Sequence, residues 1–240
     1  MQIVMQRTRI LLVLSILFAL VASPARAQER VAQRAFLYDE DALNPKGQRY
    51  PGTVLWCLNR IKAADGSDDV EILGEVDITE RRLKMIMSLR RNVDASLSAS
   101  HVIELKFSVP ADFNGGGVGL VPGLLMKSAE SAKGAPLMGQ SVKVTDGLFM
   151  MGLSNAGQDR AGNVGSLTRR EWFDLPFVYK TQRRGIIAIE KGLSGRQVFQ
   201  AAFAAWGEAP SSDASVDPPR CSDEVASRAS EGEARANTKS

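Results

Sequence analysis

Over the central part of the chain the hydrophobic positions recur mostly at every second residue, the period of a strand with one buried face. Val70, Ile72, Val76 and Ile78 alternate with Glu71, Glu75 and Asp77, while Leu83, Met85, Met87 and Leu89 alternate with Arg82, Lys84, Ser88 and Arg90. A four-residue hairpin loop over 79–82 sets Ile78 against Leu83 and Ile72 against Leu89 on the buried side. The same register sets Asp77 against Lys84 and Glu71 against Arg90 on the wet side. Opposite charges facing each other across strands stabilise a pairing by a few tenths to about 1 kcal/mol.

The dipeptide Asp146-Gly147, suited to a type I′ turn, marks a second hairpin between residues 141–145 and 148–153. Ile103, Leu105 and Phe107 alternate with Glu104 and Lys106, and further strands are expected over 34–38, 52–58, 173–179 and 185–190. Pro176 fits only an edge strand or a bulge. The pattern predicts a mainly β protein, an antiparallel β-sandwich or a partly open barrel of about nine strands.

The period changes once. Phe199, Phe203 and Trp206 recur at four and three residues, Ser194 and Gln197 have the spacing of a capping box, and Gly207 supplies a stop. This predicts one C-terminal α-helix packed on the sheet. Its aromatic stripe is read as cover for the sheet, the alternative being a docking face for a partner or lipid. The last 33 residues, 208–240, contain no aromatic, Leu, Ile or Met. Too little apolar surface is available there to offset chain entropy, which predicts a disordered polar tail.

At the other end, Arg7 and Arg9 precede an apolar run over 10–21 and the small-residue site Ala25-Arg26-Ala27. A run of about 12 apolar residues is short for a membrane span, and the flanks are those of a cleaved signal peptide. Residues 1–27 are therefore expected to be removed before Gln28, leaving no stable membrane anchor and a periplasmic or secreted protein. Residues 28–207 then form a single domain.

Removal of Arg7, Arg9 and Arg26 from the 30 basic residues leaves 27, equal to the 27 acidic ones. A neutral chain lacks the basic surplus of a nucleic-acid binder. Cys57 falls in a strand and Cys221 in the tail. An oxidising compartment permits a bond between them, but a tail residue is not held near a partner by packing, so the reading adopted is one half-buried and one exposed thiol.

The chemistry-bearing residues are sparse. With one histidine, His101, and two distant cysteines, a His- or Cys-rich zinc site is excluded. No Gly-x-Ser-x-Gly elbow supports a serine hydrolase, no phosphate-binding loop is present, and no cofactor is implied. His101 shares a face with Ile103 and Leu105, which suits a half-buried structural residue. Asp39, Glu40, Asp41, Glu171 and Asp174 offer carboxylates for glycoside chemistry, with no spacing that selects a pair.

Residues 110–136 form a long Gly- and Pro-rich stretch, in which Gly115, Gly116 and Gly117 could present an anion nest. The reading preferred for this stretch is a glycine-permitted crossover between two sheets. Paired arginines recur at 81–82, 90–91, 169–170 and 183–184, and hairpin ends that brought Arg90, Arg91, Arg183 and Arg184 together would meet an anionic polymer or lipid. The candidate binding residues are accordingly these four arginines, the three glycines, and Phe199, Phe203 and Trp206.

The runs Ala99-Ser100-His101-Val102-Ile103-Glu104-Leu105, Val121-Pro122-Gly123, Val142-Lys143-Val144-Thr145, Trp172-Phe173-Asp174, Ala188-Ile189-Glu190-Lys191-Gly192 and Ala204-Ala205-Trp206-Gly207 together resemble a family of uncharacterised exported or envelope proteins of alphaproteobacteria, rhizobia among them. The resemblance spans most of residues 50–207. It implies an envelope protein with the same domain limits and transfers no catalytic or binding residue. The function expected is a non-enzymatic binding or assembly module with an envelope protein or polymer as partner. The alternatives are a hydrolase acting on an envelope polymer and an arginine-based binder of anionic lipid or polymer.

Overall fold

A computed structural model describes residues 31–41, 44–63, 65–209 and 217–237. The expected signal peptide lies outside them. Twelve strands form one antiparallel sheet: β1 (Gln33–Asp41), β2 (Asn44–Lys62), β3 (Asp68–Ile78), β4 (Leu83–Arg91), β5 (Ala99–Ser108), β6 (Val118–Leu120), β7 (Leu125–Lys127), β8 (Ala135–Pro136), β9 (Gly139–Thr145), β10 (Leu148–Ser154), β11 (Trp172–Tyr179) and β12 (Arg184–Glu190). Their order is β8-β7-β11-β12-β1-β2-β3-β4-β5-β10-β9, with β6 also paired to β11. The sheet curls into a half-barrel and is joined by three helices, α1 (Gly157–Arg169), α2 (Gly192–Ala205) and α3 (Asp223–Asn237).

The alternation rule located its strands well. All nine expected strands are present, and β3 meets β4 in the expected register, with Ile78 opposite Leu83, Asp77 opposite Lys84 and Ile72 opposite Leu89. Lys84 Nζ lies 3.0 Å from Asp77. The three additional strands, β6, β7 and β8, are two or three residues long and fall inside the Gly- and Pro-rich stretch. They pair along β11 and onto one another, so the stretch extends the single sheet and no crossover to a second sheet exists. Of the two expected architectures the sandwich is not formed, and one continuous sheet curled into a half-barrel is close to the partly open barrel, with twelve strands in place of nine.

Pro176 sits within β11, which has neighbours on both sides. It is accommodated because β7 pairs with residues 172–174 and β6 with 178–179. The proline falls in the gap between them, where no ladder hydrogen bond is lost. In the β9–β10 hairpin Gly147 has φ +77° while Asp146 stays at negative φ, and the register shifts between Leu148 and Phe149. A single left-handed residue followed by a bulge replaces the expected type I′ turn.

The inner face of the half-barrel is the core. Trp56 on β2 is fully buried, donates its Nε1–H to Glu190 O at 2.8 Å, and meets Phe199 of α2 edge-on at 5.4 Å. Phe199, Phe203 and Trp206 fill the hollow of the sheet. The expected capping box does not form. Gly192, at φ +54°, turns the chain into α2 three residues earlier, after Lys191, and the Ser194 hydroxyl donates to Val31 O instead. Gly207, at φ +73°, ends the helix as expected, with Glu208 N–H returning to Phe203 O.

Two further helices were not expected. α1 packs on α2, β10 and β7. α3 lies within the segment read as a disordered tail. That reading fails over 217–237 because composition ignores covalent bonds: Cys57 and Cys221 form a disulfide, so neither is a free thiol. The bond pins the segment beside β2, past the stretch that β1 pairs, where Arg220 bridges Leu58 in parallel: Leu58 N–H donates to Pro219 O and Cys221 N–H to Leu58 O. Val225 is buried against Leu73 as a result.

Candidate binding site

The pairing registers place outer-face residues of successive strands side by side. One row runs Cys57, Leu73, Ser88, Glu104, Met150, Val142 across β2, β3, β4, β5, β10 and β9. Its neighbour contains Asn59 opposite Glu71 and Arg90 opposite Val102. Alternation alone assigns these polar residues to solvent, yet Glu71, Ser88 and Glu104 are each buried. The cause is α3, which roofs this part of the sheet. Arg228 pairs with Glu75 at 2.7 Å, and Lys106 Nζ donates to the Arg228 carbonyl at 2.8 Å.

Between α3 and the sheet lies a cavity of about 540 Å³, lined by Glu71, Ser88, Arg90, Arg91, Glu104 and Leu97 among others. Arg90 Nη1 stands 3.7 Å from Glu104 Oε2, and Asn59 Nδ2 donates to Glu71 Oε2 at 3.2 Å. At the rim Arg91 Nε donates to Asp69 at 2.7 Å, and Trp206 Nε1 donates to the same carboxylate at 3.1 Å. The recess thus presents acceptors and donors of both charge signs, shielded from bulk water, where their interactions with a ligand are stronger than at an open surface.

The remaining candidates sit elsewhere. Gly115, Gly116 and Gly117 all have positive φ, but the carbonyls of Gly115 and Gly117 accept from Thr181 and Lys180 N–H. A Cβ on Gly115 would lie 2.7 Å from the Tyr179 ring, so Gly115 serves close packing under the β11–β12 turn, while Gly116 and Gly117 are set by their positive φ. Hairpin ends do bring Arg183 to Arg81: both donate to Asn114 O, at 3.1 and 3.4 Å. Arg81 also pairs with buried Asp39 at 2.9 Å, and burial raises the Asp39 carboxyl above its ordinary value despite both guanidiniums. Arg184 is exposed, its N–H bonded to Glu40. The four arginines form no common patch. Phe199, Phe203 and Trp206 are core residues and offer no docking face.

His101 is wholly buried rather than half-buried. Its ring lies against Phe203 and Trp206, with Nδ1 3.1 Å from Ser100 Oγ and Nε2 3.3 Å from Glu208. Burial lowers its pKa; Glu208 opposes that shift and Arg160 adds to it. A second, shallower groove between α1 and α2 touches Glu208 and Arg160 but not the imidazole. Three of the carboxylates weighed for glycoside chemistry are in ion pairs: Asp39 with Arg81, Asp174 with Lys127 at 2.7 Å and Glu171 with Arg196 at 2.8 Å.

Among the described residues no helix is long and apolar enough to cross a membrane, and the disulfide is compatible with a location outside the cytoplasm. Comparison with known proteins gives no match: no family model fits the chain, and no curated protein or solved structure is similar to it.

Proposed function

We propose that the protein is an exported, non-enzymatic binding module of the cell envelope, and that it takes a group carrying charges of both signs into the cavity beneath α3. One observation carries this reading: Glu71 and Glu104 are buried beside half-buried Arg90 in a recess whose roof is held by a disulfide. Buried ion pairs contribute little net stability, and apolar residues of similar volume would hold α3 at least as well. Charges kept in such a recess are explained by a ligand that uses them. A hydrolase reading finds less support, since the His101 ring is sealed beneath α2.

The test is crosslinking in living host cells with the tagged protein as bait, followed by mass spectrometry of what is recovered. Arg90→Ala and Glu104→Gln variants that remain folded should lose the recovered protein or polymer about tenfold or more, as loss of a buried charged contact implies. A partner retained unchanged by both folded variants, or a folded bait that recovers nothing, contradicts the proposal.

A further inference from the structure

The two ends of the sheet are unlike. At one end β8 is two residues long and contains Pro136, the kind of short, proline-blunted edge that resists pairing with another chain. At the other end β9 runs seven residues, Gly139–Thr145, and pairs only with β10 among the described residues. It includes Val142 and Val144, its only charge is Lys143, and Lys143 is occupied by Asp146 at 2.6 Å. Val142 is 55% exposed and the adjacent Met138 48%. The Ser141 hydroxyl is buried without a hydrogen-bond partner. A long edge carrying apolar residues, with alternate N–H and C=O groups directed outward, is a template for one more strand.

We infer that this strand is β9 of a second copy of the chain, paired antiparallel about a two-fold axis at Val142. The sequence is self-complementary in that register. Val142 faces its own counterpart on the outer face, beside Met150. Gln140 faces the partner's Val144. Lys143 faces the partner's Ser141, so no like charges meet. Moving the centre to Lys143 would place two ammonium groups opposite each other, which is unfavourable. The outer-face row that begins at Cys57 and ends at Val142 then continues into the second molecule, and each cavity keeps its own α3. A closed two-fold pairing of this kind also removes the exposed edge from further association.

Sedimentation equilibrium of the full chain with its disulfide closed should report twice the chain mass in the micromolar range. Val142→Lys, which sets two lysines directly opposite, should weaken association about tenfold or more. Val142→Cys should crosslink to itself on mild oxidation, because directly opposed residues of an antiparallel pair meet the distance a disulfide requires. Leu193→Cys, exposed at 62% on α2, should not. The inference is overturned by any of three results. One is a monomer throughout that range whose Val142→Cys form crosslinks no faster than Leu193→Cys. Another is a dimer indifferent to Val142→Lys. The last is a monomer whose β9 edge is found carrying an extended segment of a different protein.

Discussion

Lys191 joins β12 to α2 and is wholly buried, its ammonium donating to the carbonyl of Leu167 at 2.8 Å and lying 4.7 Å from the Phe199 ring. That carbonyl belongs to the last turn of α1, where a positive group is favourable. Burial lowers the pKa to about 8 from 10.5, with Glu171 opposing the shift. The unfolded chain therefore holds a proton that the folded chain has released between about pH 8 and 10.5, and stability rises with pH there. Denaturation midpoints should increase between pH 8 and 10, by up to about 2 kcal/mol of stability, and Lys191→Met should remove the slope. Above pH 10 the trend reverses, because Tyr179, raised to about 12 mainly by burial, keeps its proton longer folded than unfolded. His101 acts on the acid side. Its folded pKa lies below 6.5, so its contribution is complete above about pH 6.5 and is lost as pH falls toward the folded value. As the chain contains one histidine, a single imidazole reports it, and its resonance should titrate at a lower pH in the folded protein than in the denatured one. Residue by residue, inward-facing positions such as Ile72 and Leu89 were readable from alternation. Glu71 and Glu104 were not, because alternation names a face and not what covers it.

The elements divide by what stabilises them. Strands β3 and β4 carry their register in their own sequence and fold as read. Opposite Trp56, Gly74 leaves room that a side chain would take: a Cβ there would lie 2.5 Å from the indole ring. Gly74→Ala should therefore cost about 1–3 kcal/mol, measured by urea denaturation. The helix α1 has glycines at 157, 162 and 165 and buries Leu167 as its only large apolar side chain, so neither propensity nor periodicity announces it. It is held by α2 and by contacts such as Asn163, which exchanges hydrogen bonds with the Met138 backbone. α3 depends on a bond between residues 164 positions apart. Cys221→Ser should lower stability by about 2–5 kcal/mol and should sharply raise hydrogen exchange in residues 223–230, with strands on the far side of the sheet unaffected. Full protection of α3 in that variant would show that packing alone holds it.

On the scale of the whole molecule, the antiparallel β class was legible, whereas strand order was not. Period-two alternation in nine segments fits two stacked sheets as well as one curled sheet, since each strand buries one face in either case. The distinction lies in nonlocal pairings such as β1 with β12, separated by most of the chain, and in the short strands β6 to β8 that close the gap. The curled sheet has an inner face for α2 and an outer face for α3, and the outer one bears buried Glu71 and Glu104. Site-specific photocrosslinking in living cells tests that division of labour. A photoreactive residue placed at Leu97, on the cavity rim, should capture a partner that the same residue at Leu193 does not, and capture should fall about tenfold when Cys221→Ser frees the roof. Equal capture at both positions, or capture at Leu97 that survives Cys221→Ser, would contradict a binding site beneath α3.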